Sequence, residues 1–217
     1  PETILYQKSK SLYTVPNFSE SAKKENTIYV FEGYIDVIAA HIYGINTAVA
    51  PCGTALTNKH LAYLSNFKSD IVLCFDNDEA GFEATKRVVN LNTRKEKALN
   101  VQALQFRKHK DIGDMLEEGV LEDFKNLIDT KKELVEFLFR REISNKLDQK
   151  MRKNEIVYSL SGLLNSLSPI EIDDTKKLIA VMLDLEMQVL EAELSGPSIN
   201  TEEESKVITF SNEFETI

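Results

Sequence analysis

The feature that most constrains the fold is an alternation of short apolar runs with amphipathic stretches from Thr27 to about Thr130. This alternation is typical of α/β proteins, in which helices flank a mostly parallel sheet and connect its strands. Apolar residues recurring at three and four positions indicate the helices. We predict strands at Ile28 to Glu32, Thr47 to Ala50, Asp70 to Asp76 and Val101 to Phe106, and helices at Tyr34 to Tyr43, Thr57 to Asn66 and Glu79 to Asn90.

The flanking segments have a different pattern. Before the sheet region, Glu2 to Tyr13 predicts an amphipathic helix, followed by a polar linker, and both are assigned to a preceding subdomain. After Glu122 no strand is predicted, and a small helical bundle follows, with helices at Lys131 to Lys146, Lys153 to Leu167, Ile172 to Leu183 and Glu186 to Leu194. The predicted domains are residues 1–26, 27–121, 122–194 and an acidic, disordered tail or linker at 195–217.

Composition narrows the class of protein. With 217 residues and 42% hydrophobic content, the chain is able to bury a core. It has no apolar stretch long enough for a membrane span and no secretory signal, so we expect a soluble, cytoplasmic protein without a membrane partner. Cys52 and Cys74 lie far apart among apolar neighbours, which predicts buried thiols and no zinc site. Because the chain opens at Pro1, we expect a fragment of a longer polypeptide.

The formal net charge of −9 is unusual for a protein that handles nucleic acid, since phosphate contacts normally come from clustered Lys and Arg. The distribution of the charge weakens this objection. Residues 201–217 contain five acids and one base, so the tail alone accounts for −4. Bound divalent cations would offset more of the remaining charge.

Two acids stand at the end of the first predicted strand. Glu32 closes the strand, and Asp36 follows four residues later in the opening turn of the next helix, so both carboxylates are able to face the same point above the sheet. The alternative is an exposed loop acid and a helix N-terminal acid that the helix dipole favours. This pair alone does not distinguish a functional site from that alternative.

A second acidic pair ends the most apolar strand, in the segment IVLCFDNDEAG. Acids at the end of a buried strand are costly unless their charge is compensated. Alternation along the chain directs Asp76 and Asp78 to one side, where they supply two hard oxygen ligands of the kind that Mg²⁺ prefers. The alternative is an ordinary β-turn rich in Asp and Asn.

A third acidic site, KDIGDML, follows the fourth strand and contains Asp111 and Asp114. A helix N-cap explains such residues without any metal, and for Asp114 it is at least as good an explanation. The convergence of three acidic strand ends is the stronger signal, because these carboxylates would repel one another without a bridging cation. We therefore predict a site for one or two metal ions.

Phosphate-binding candidates lie elsewhere in the same region. Gly53 and Thr54, on a loop between a strand and a helix, are able to offer backbone N–H groups to phosphate, although a plain turn explains the glycine equally well. Lys59 and Lys86 are candidates for contacts with phosphate, although such residues are more often solvated helix faces. Tyr158, in the helical region, is predicted to be a core residue.

Four segments, EGYIDV, APCGTALT, CFDNDEAG and KDIGD, resemble in order and spacing the Toprim domain of bacterial DnaG-type primases. The resemblance extends upstream to PETILYQKSKSLY and downstream to LDLEMQVLEAEL, so it covers roughly residues 1–194. It departs from the usual pattern at Gly113, where the family has the second aspartate of DPD, and at Asn77, where it more commonly has glycine.

The resemblance implies a role for each acid. Glu32 corresponds to the Toprim glutamate, Asp36 to its partner acid, and Asp76 and Asp78 to the pair that holds magnesium. Asp111 begins the last motif, and Asp114 is a candidate substitute for the acid missing at Gly113. The implied catalytic residues are Glu32, Asp36, Asp76 and Asp78, and the implied metal ligands are Glu32, Asp76, Asp78, Asp111 and Asp114.

The implied activity is DNA-templated synthesis of short RNA primers by nucleotidyl transfer that depends on Mg²⁺ or Mn²⁺. The implied partners are a single-stranded DNA template, nucleoside triphosphates and a replicative helicase that binds a region outside this chain; we expect a monomer. Two alternatives stay open. Another Toprim enzyme, a nuclease or a topoisomerase, employs similar acids, and a non-catalytic metal-binding scaffold would dock a replication protein.

Overall fold

A computed structural model describes residue 3 and residues 6–93 and 99–196. The described residues contain a sheet of six strands, β1 (Leu12–Thr14), β2 (Thr27–Val30), β3 (Ala48–Pro51), β4 (Asp70–Leu73), β5 (Val101–Ala103) and β6 (Lys132–Glu133). Their order in the sheet is β1-β3-β2-β4-β5-β6. Strands β3, β2, β4 and β5 are parallel, and β1 and β6 pair antiparallel at the two edges. The predicted mostly parallel α/β sheet is therefore confirmed.

Ten α-helices accompany the strands in the described part of the chain. They are α1 (Phe18–Glu25), α2 (Tyr34–Ile42), α3 (Asn58–Leu64), α4 (Glu79–Thr93), α5 (Ile112–Glu117), α6 (Leu121–Ile128), α7 (Leu134–Asp148), α8 (Lys153–Leu164), α9 (Pro169–Leu183) and α10 (Met187–Leu194). None of these helices is long and apolar enough to cross a bilayer.

The parallel strands form the centre of the core because helices cover both faces of the sheet. All four residues of β3 are buried, as are Ile71, Val72 and Leu73 of β4. Such strands consist of continuous apolar runs, in contrast to the alternating pattern of a half-exposed sheet. Phe124 of α6 packs with its ring centroid 6.1 Å from that of Phe106. Helix α6 therefore lies against the sheet region.

Helices α7 to α10 form the predicted bundle. Helix α7 contacts α4, α9 and strand β5, whereas α8, α9 and α10 contact one another. The four predicted helices are present, with ends that differ from the predicted ones by at most three residues. The bundle is attached to the sheet through α7, which brings this helix close to the ends of the strands.

Several predictions were wrong. The N-terminal helix predicted over Glu2 to Tyr13 is absent at Leu12–Thr14, which forms β1, because the open edge of β3 offers backbone hydrogen-bonding partners that a local pattern does not reveal. The polar linker contains helix α1, which buries Phe18 and Ala22. Strand β6 lies beyond the last predicted strand, and Tyr158 is 63% exposed.

Two further predictions concern the C-terminal tail and the two cysteines. The predicted tail lies outside the described residues from 197 onward. Cys52 and Cys74 are buried and free, as expected for reduced thiols.

Candidate metal centre

The acidic residues follow three parallel strands that run side by side. Strand β4 pairs with β2 on one side and with β5 on the other, so the carboxyl ends of all three meet at one edge of the sheet. Glu32 follows β2, Asp76 follows β4, and Asp111 ends the loop after β5. In parallel α/β sheets this edge is where ligands bind.

Glu32 and Asp76 are in direct contact. The backbone N–H of Asp76 donates a hydrogen bond of 3.0 Å to Glu32 Oε1. Partial desolvation of the Glu32 carboxylate raises its pKa, and the charges of Asp76 and Asp78 add to the increase, whereas the hydrogen bond opposes it. Glu32 thus orients the loop that carries Asp76 and is more readily protonated than an ordinary glutamate.

Asp36 is the most buried acid of the group, with 9% of its surface exposed. It lies in the first turn of α2, and its Oδ2 accepts a hydrogen bond of 3.1 Å from the N–H of Gly33. Burial raises the pKa of Asp36 to about 6, and repulsion from Asp111, Asp76 and Glu32 contributes to that increase. This repulsion places Asp36 within the same acidic group.

Asp76 and Asp78 share a cation supplied by the protein. Lys110 Nζ lies 2.9 Å from Asp76 Oδ2 and 3.7 Å from Asp78 Oδ2. The other carboxylate oxygen of Asp78 accepts the N–H of Gly81 at 2.9 Å, which anchors the acid at the start of α4. The two carboxylates therefore face a common positive charge, as the alternation of the DND segment predicts.

Hydrogen bonds join the loop after β4 to the loop after β5. The N–H of Asn77 donates to the carbonyl of Lys110 at 2.7 Å, and Gln105 Nε2 donates to Asn77 Oδ1 at 3.2 Å. Asp114 Oδ2 accepts the N–H of Lys110 at 2.9 Å. Asp111 Oδ1 accepts the N–H of Asp114 at 2.9 Å and caps α5. These are the contacts of the helix-cap alternative, while the metal-ligand role of Asp111 and Asp114 stays a prediction.

The helical bundle also reaches the acidic edge. Arg141 of α7 donates from Nη2 to the backbone carbonyl of Asp78 at 3.0 Å, and its guanidinium lies 4.7 Å from the centroid of the Phe82 ring. The planar guanidinium thus makes one hydrogen bond to the carbonyl while it also contacts the aromatic ring, a combination that a lysine ammonium is less suited to make. Arg141 thereby couples the position of the DND loop to the bundle.

The arrangement fits a hard divalent cation held by a few protein ligands. Within residues 6–93 and 99–196, no three His, Cys, Asp or Glu side chains converge into a complete metal-binding cluster. Mg²⁺, however, is commonly held by one or two carboxylates, with water and substrate phosphates completing its coordination. Asp76 and Asp78 already direct oxygen atoms at one cation, the ammonium of Lys110. These two carboxylates are therefore the best candidates to hold the ion.

Comparison with known proteins shows which proteins this chain is similar to. Residues 29–116 match a family model described as Toprim-like. The chain is 31% identical over 202 residues to a DNA primase of Enterococcus faecalis, covering 90% of this chain and 31% of the relative. It is 33% identical over 188 residues to a DNA primase of Campylobacter jejuni, covering 86% of this chain and 31% of the relative. The chain is homologous to the bacterial DNA primases.

Solved structures with a similar fold include a primase domain. The RNA polymerase domain of Mycobacterium tuberculosis primase DnaG superposes with a TM-score of 0.71 at 26% identity, covering 83% of this chain and 59% of that one. The same domain in complex with double-stranded DNA gives a TM-score of 0.72, covering 86% of this chain and 60% of that one. The chain spans about a third of the length of the curated primases that it matches.

All six acids predicted from the primase resemblance lie within the Toprim-like match. In the structure Lys110 lies against Asp76 and Asp78, Glu32 accepts the amide of Asp76, and the buried Asp36 belongs to the same acidic group. Which of them ligate metal or take part in catalysis stays a prediction. Lys110 and Arg141 were not singled out from the sequence. In the sequence, the only indication that Lys110 belongs to the site is its position directly before Asp111. Arg141 has no such indication, because 63 residues separate it from its partner Asp78.

The predicted phosphate-binding residues lie in different surroundings: a turn, the lining of a cavity and an exposed helix. Gly53 has a φ of 68°, and its N–H donates to the Pro51 carbonyl at 3.0 Å, so this amide is already used in the turn. Thr54 is exposed and lines, with Gly53 and Glu32, a cavity of about 600 Å³. Lys59 is exposed on α3. For these residues the phosphate-binding role stays a prediction.

The ammonium of Lys86 forms ion pairs with two carboxylates. Its Nζ lies 2.6 Å from Glu83 and 3.6 Å from Glu142, and it also lies 4.5 Å from the centroid of the Phe82 ring. These contacts join α4 to α7. The predicted phosphate contact of Lys86 is untested, and its observed contacts are those of a link between the two helices.

Proposed function

We propose that this chain supplies the nucleotidyl-transfer centre for the DNA-templated synthesis of short RNA primers. The observation that carries the proposal is the pair of carboxylates, Asp76 and Asp78, that face one cation beside Glu32 in a chain homologous to primases. Phosphoryl transfer depends on positioning the reacting groups and on neutralising the charge of the phosphates. A divalent ion held by two carboxylates would serve both purposes.

Each acid has a distinct task in this proposal. Asp76 and Asp78 hold Mg²⁺ or Mn²⁺, which when bound neutralises the charge of the triphosphate and favours ionisation of the attacking 3′-hydroxyl. Glu32 orients the Asp76 loop through the hydrogen bond from the Asp76 amide. Its pKa is raised, chiefly by desolvation, which makes it a stronger base for the proton of an attacking hydroxyl group than an ordinary glutamate.

The remaining acids complete the group. Asp36, which is buried in the first turn of α2, keeps Gly33 and the start of this helix in place through its hydrogen bond. Asp111 and Asp114 order the loop that carries Lys110. With this division, Asp76 and Asp78 bind the ion, and Asp36, Asp111 and Asp114 maintain the geometry around it.

The proposed substrates are nucleoside triphosphates and a single-stranded DNA template. Support for a nucleic-acid partner comes from the related M. tuberculosis domain, whose structure was determined with double-stranded DNA. We further propose that the protein is a cytoplasmic monomer and that a replicative helicase binds it through a region outside this chain.

The test is primer synthesis by the full-length protein with labelled ribonucleoside triphosphates, a single-stranded template and Mg²⁺ or Mn²⁺. Asp76→Asn removes one ligand charge while keeping the side-chain shape, and we expect synthesis to fall at least about 100-fold. Asp70→Asn is the matched control, because Asp70 lies at the opposite end of β4 and contacts Asn100. We expect it to retain activity.

The same assay separates the alternatives. Metal-dependent cleavage of DNA without nucleoside triphosphates would indicate a nuclease. Binding of Mn²⁺ by a full-length protein that forms no RNA would indicate a metal-binding scaffold. Unchanged primer synthesis by Asp76→Asn would overturn the proposed centre.

A further inference from the structure

Lys110 occupies the position at which the two carboxylates of the DND loop meet. Its Nζ contacts Oδ2 of Asp76 at 2.9 Å and lies 3.7 Å from Oδ2 of Asp78. The hydrogen bond to Asp76 is the main reason that the pKa of Lys110 is raised, so the ammonium is charged at neutral pH. The acid pair is thus neutralised in part by a cation belonging to the protein itself.

The backbone of Lys110 is held firmly although its side chain is half exposed. Its N–H donates to Asp114 Oδ2, and its carbonyl accepts the N–H of Asn77. Of the side-chain surface, 54% is open to solvent. The ammonium is therefore able to move away from the acids by side-chain rotation, without breaking the hydrogen bonds that join the two loops.

A divalent ion held by Asp76 and Asp78 would require the same carboxylate oxygens that now face Lys110. Mg²⁺ binds carboxylate oxygen at about 2.0–2.1 Å, closer than the ammonium approaches. Two cations at such short separation repel each other strongly in a partly desolvated site. Occupation by the metal and occupation by Lys110 are therefore mutually exclusive.

We propose that Lys110 is a tethered counter-ion, which keeps Asp76 and Asp78 side by side before metal binds. The divalent ion displaces the Lys110 ammonium when it binds. The inference rests on the metal site of the proposed function. Displacement has a cost, because the Lys110 contacts must be broken for the ion to bind. Lys110 therefore sets the affinity of the site for metal and prevents its carboxylates from separating when no metal is present.

The test is the dissociation constant for Mn²⁺, measured by electron paramagnetic resonance or calorimetry on the full chain without nucleotide. Lys110→Gln removes the competing charge, and we expect Mn²⁺ to bind roughly twofold to fivefold more tightly, the range for a partly exposed ion pair. Lys108→Gln is the matched control, because it removes the same charge from an exposed position in the same loop. The comparison is made between these two variants.

Two further variants make the result decisive. Lys110→Met also lacks the charge and is expected to bind Mn²⁺ more tightly, whereas Lys110→Arg retains it and is expected to bind no more tightly than the wild-type chain. Unchanged or weaker affinity in both uncharged variants, relative to Lys108→Gln, would overturn the inference.

Asp76→Asn separates this inference from the proposed function. Loss of Mn²⁺ binding in Asp76→Asn with no gain in Lys110→Gln would overturn the role of Lys110 and leave the metal site standing. Wild-type affinity in Asp76→Asn would overturn the metal site, and the counter-ion role with it.

Discussion

Gly81 lies so close to the carbonyl oxygen of Asp76 that a Cβ atom on this residue would overlap it. The same Cβ would come within 2.9 Å of Glu32 Oε1, which accepts the amide of Asp76. The first turn of α4 thus touches both strand ends that carry the acids. The absence of a side chain at position 81 is therefore a steric requirement of the site.

Replacing Gly81 by alanine should damage the fold and the site together. Because the overlap is with backbone, Asp76 must shift, and we expect Gly81→Ala to lower the free energy of unfolding by about 1–3 kcal/mol. It should also weaken Mn²⁺ binding. Gly162→Ala in α8 is the control, since its Cβ would meet nothing within 4 Å, and it should stabilise by up to about 1 kcal/mol. Equal stabilities of the two variants in urea would contradict this account.

The stability of the metal-free protein should depend on the ionisation of Asp36. Its pKa is about 6, above the ordinary 3.8, so the native state binds this proton more tightly than the unfolded chain does. The contribution of Asp36 to the free energy of unfolding is then greatest below about pH 4 and is lost as the pH rises to about 6.

Asp36→Asn removes this titration and retains an acceptor for the Gly33 amide. We expect it to exceed the wild-type stability by about 1–3 kcal/mol at pH 7.5 and to lack the decline between pH 4 and 6. Urea unfolding with chelator present, at several pH values, measures both effects. An undiminished decline in the variant would show that another group is responsible.

Asp114 is expected to order the loop without binding metal. Its carboxylate accepts the N–H of Lys110, a task that an amide oxygen also performs. We predict that Asp114→Asn keeps the Mn²⁺ affinity of the wild-type chain, whereas Asp114→Ala unfolds more easily by about 1 kcal/mol. If Asp114→Asn instead loses Mn²⁺ binding as Asp76→Asn does, Asp114 replaces the acid missing at Gly113 as a ligand.

Arg141 should connect the bundle to the acidic edge. Arg141→Ala removes the hydrogen bond to the Asp78 carbonyl and the contact with Phe82, and we expect unfolding to become easier by about 1–2 kcal/mol. Arg140→Ala is the neighbouring control, because Arg140 pairs with Glu136 near the surface and should contribute at most about 0.5 kcal/mol. Similar losses in the two variants, measured by urea denaturation, would argue against a special role for Arg141.

Much of the site was predictable from local pattern. Glu32 and Asp76 each come two or three residues after a strand that an apolar run in the sequence predicts, and the parallel arrangement then brings the acids to one edge. The helices of the bundle were equally predictable because apolar residues recur with the period of the α-helix. The short edge strands β1 and β6 were missed, since strands of three and two residues carry too little pattern to be distinguished from helix or loop.

The sequence by itself determined the strand and helix pattern and the order of acidic strand ends, because backbone periodicity and burial of apolar residues act over a few neighbouring positions. Only the tertiary structure decided which groups meet the acids. Lys110 reaches Asp76 across 34 residues, and Arg141 reaches Asp78 from a separate bundle. Such contacts depend on how the loops and α7 pack against the sheet, and a long polar side chain has no sequence pattern that indicates where its charged group will lie.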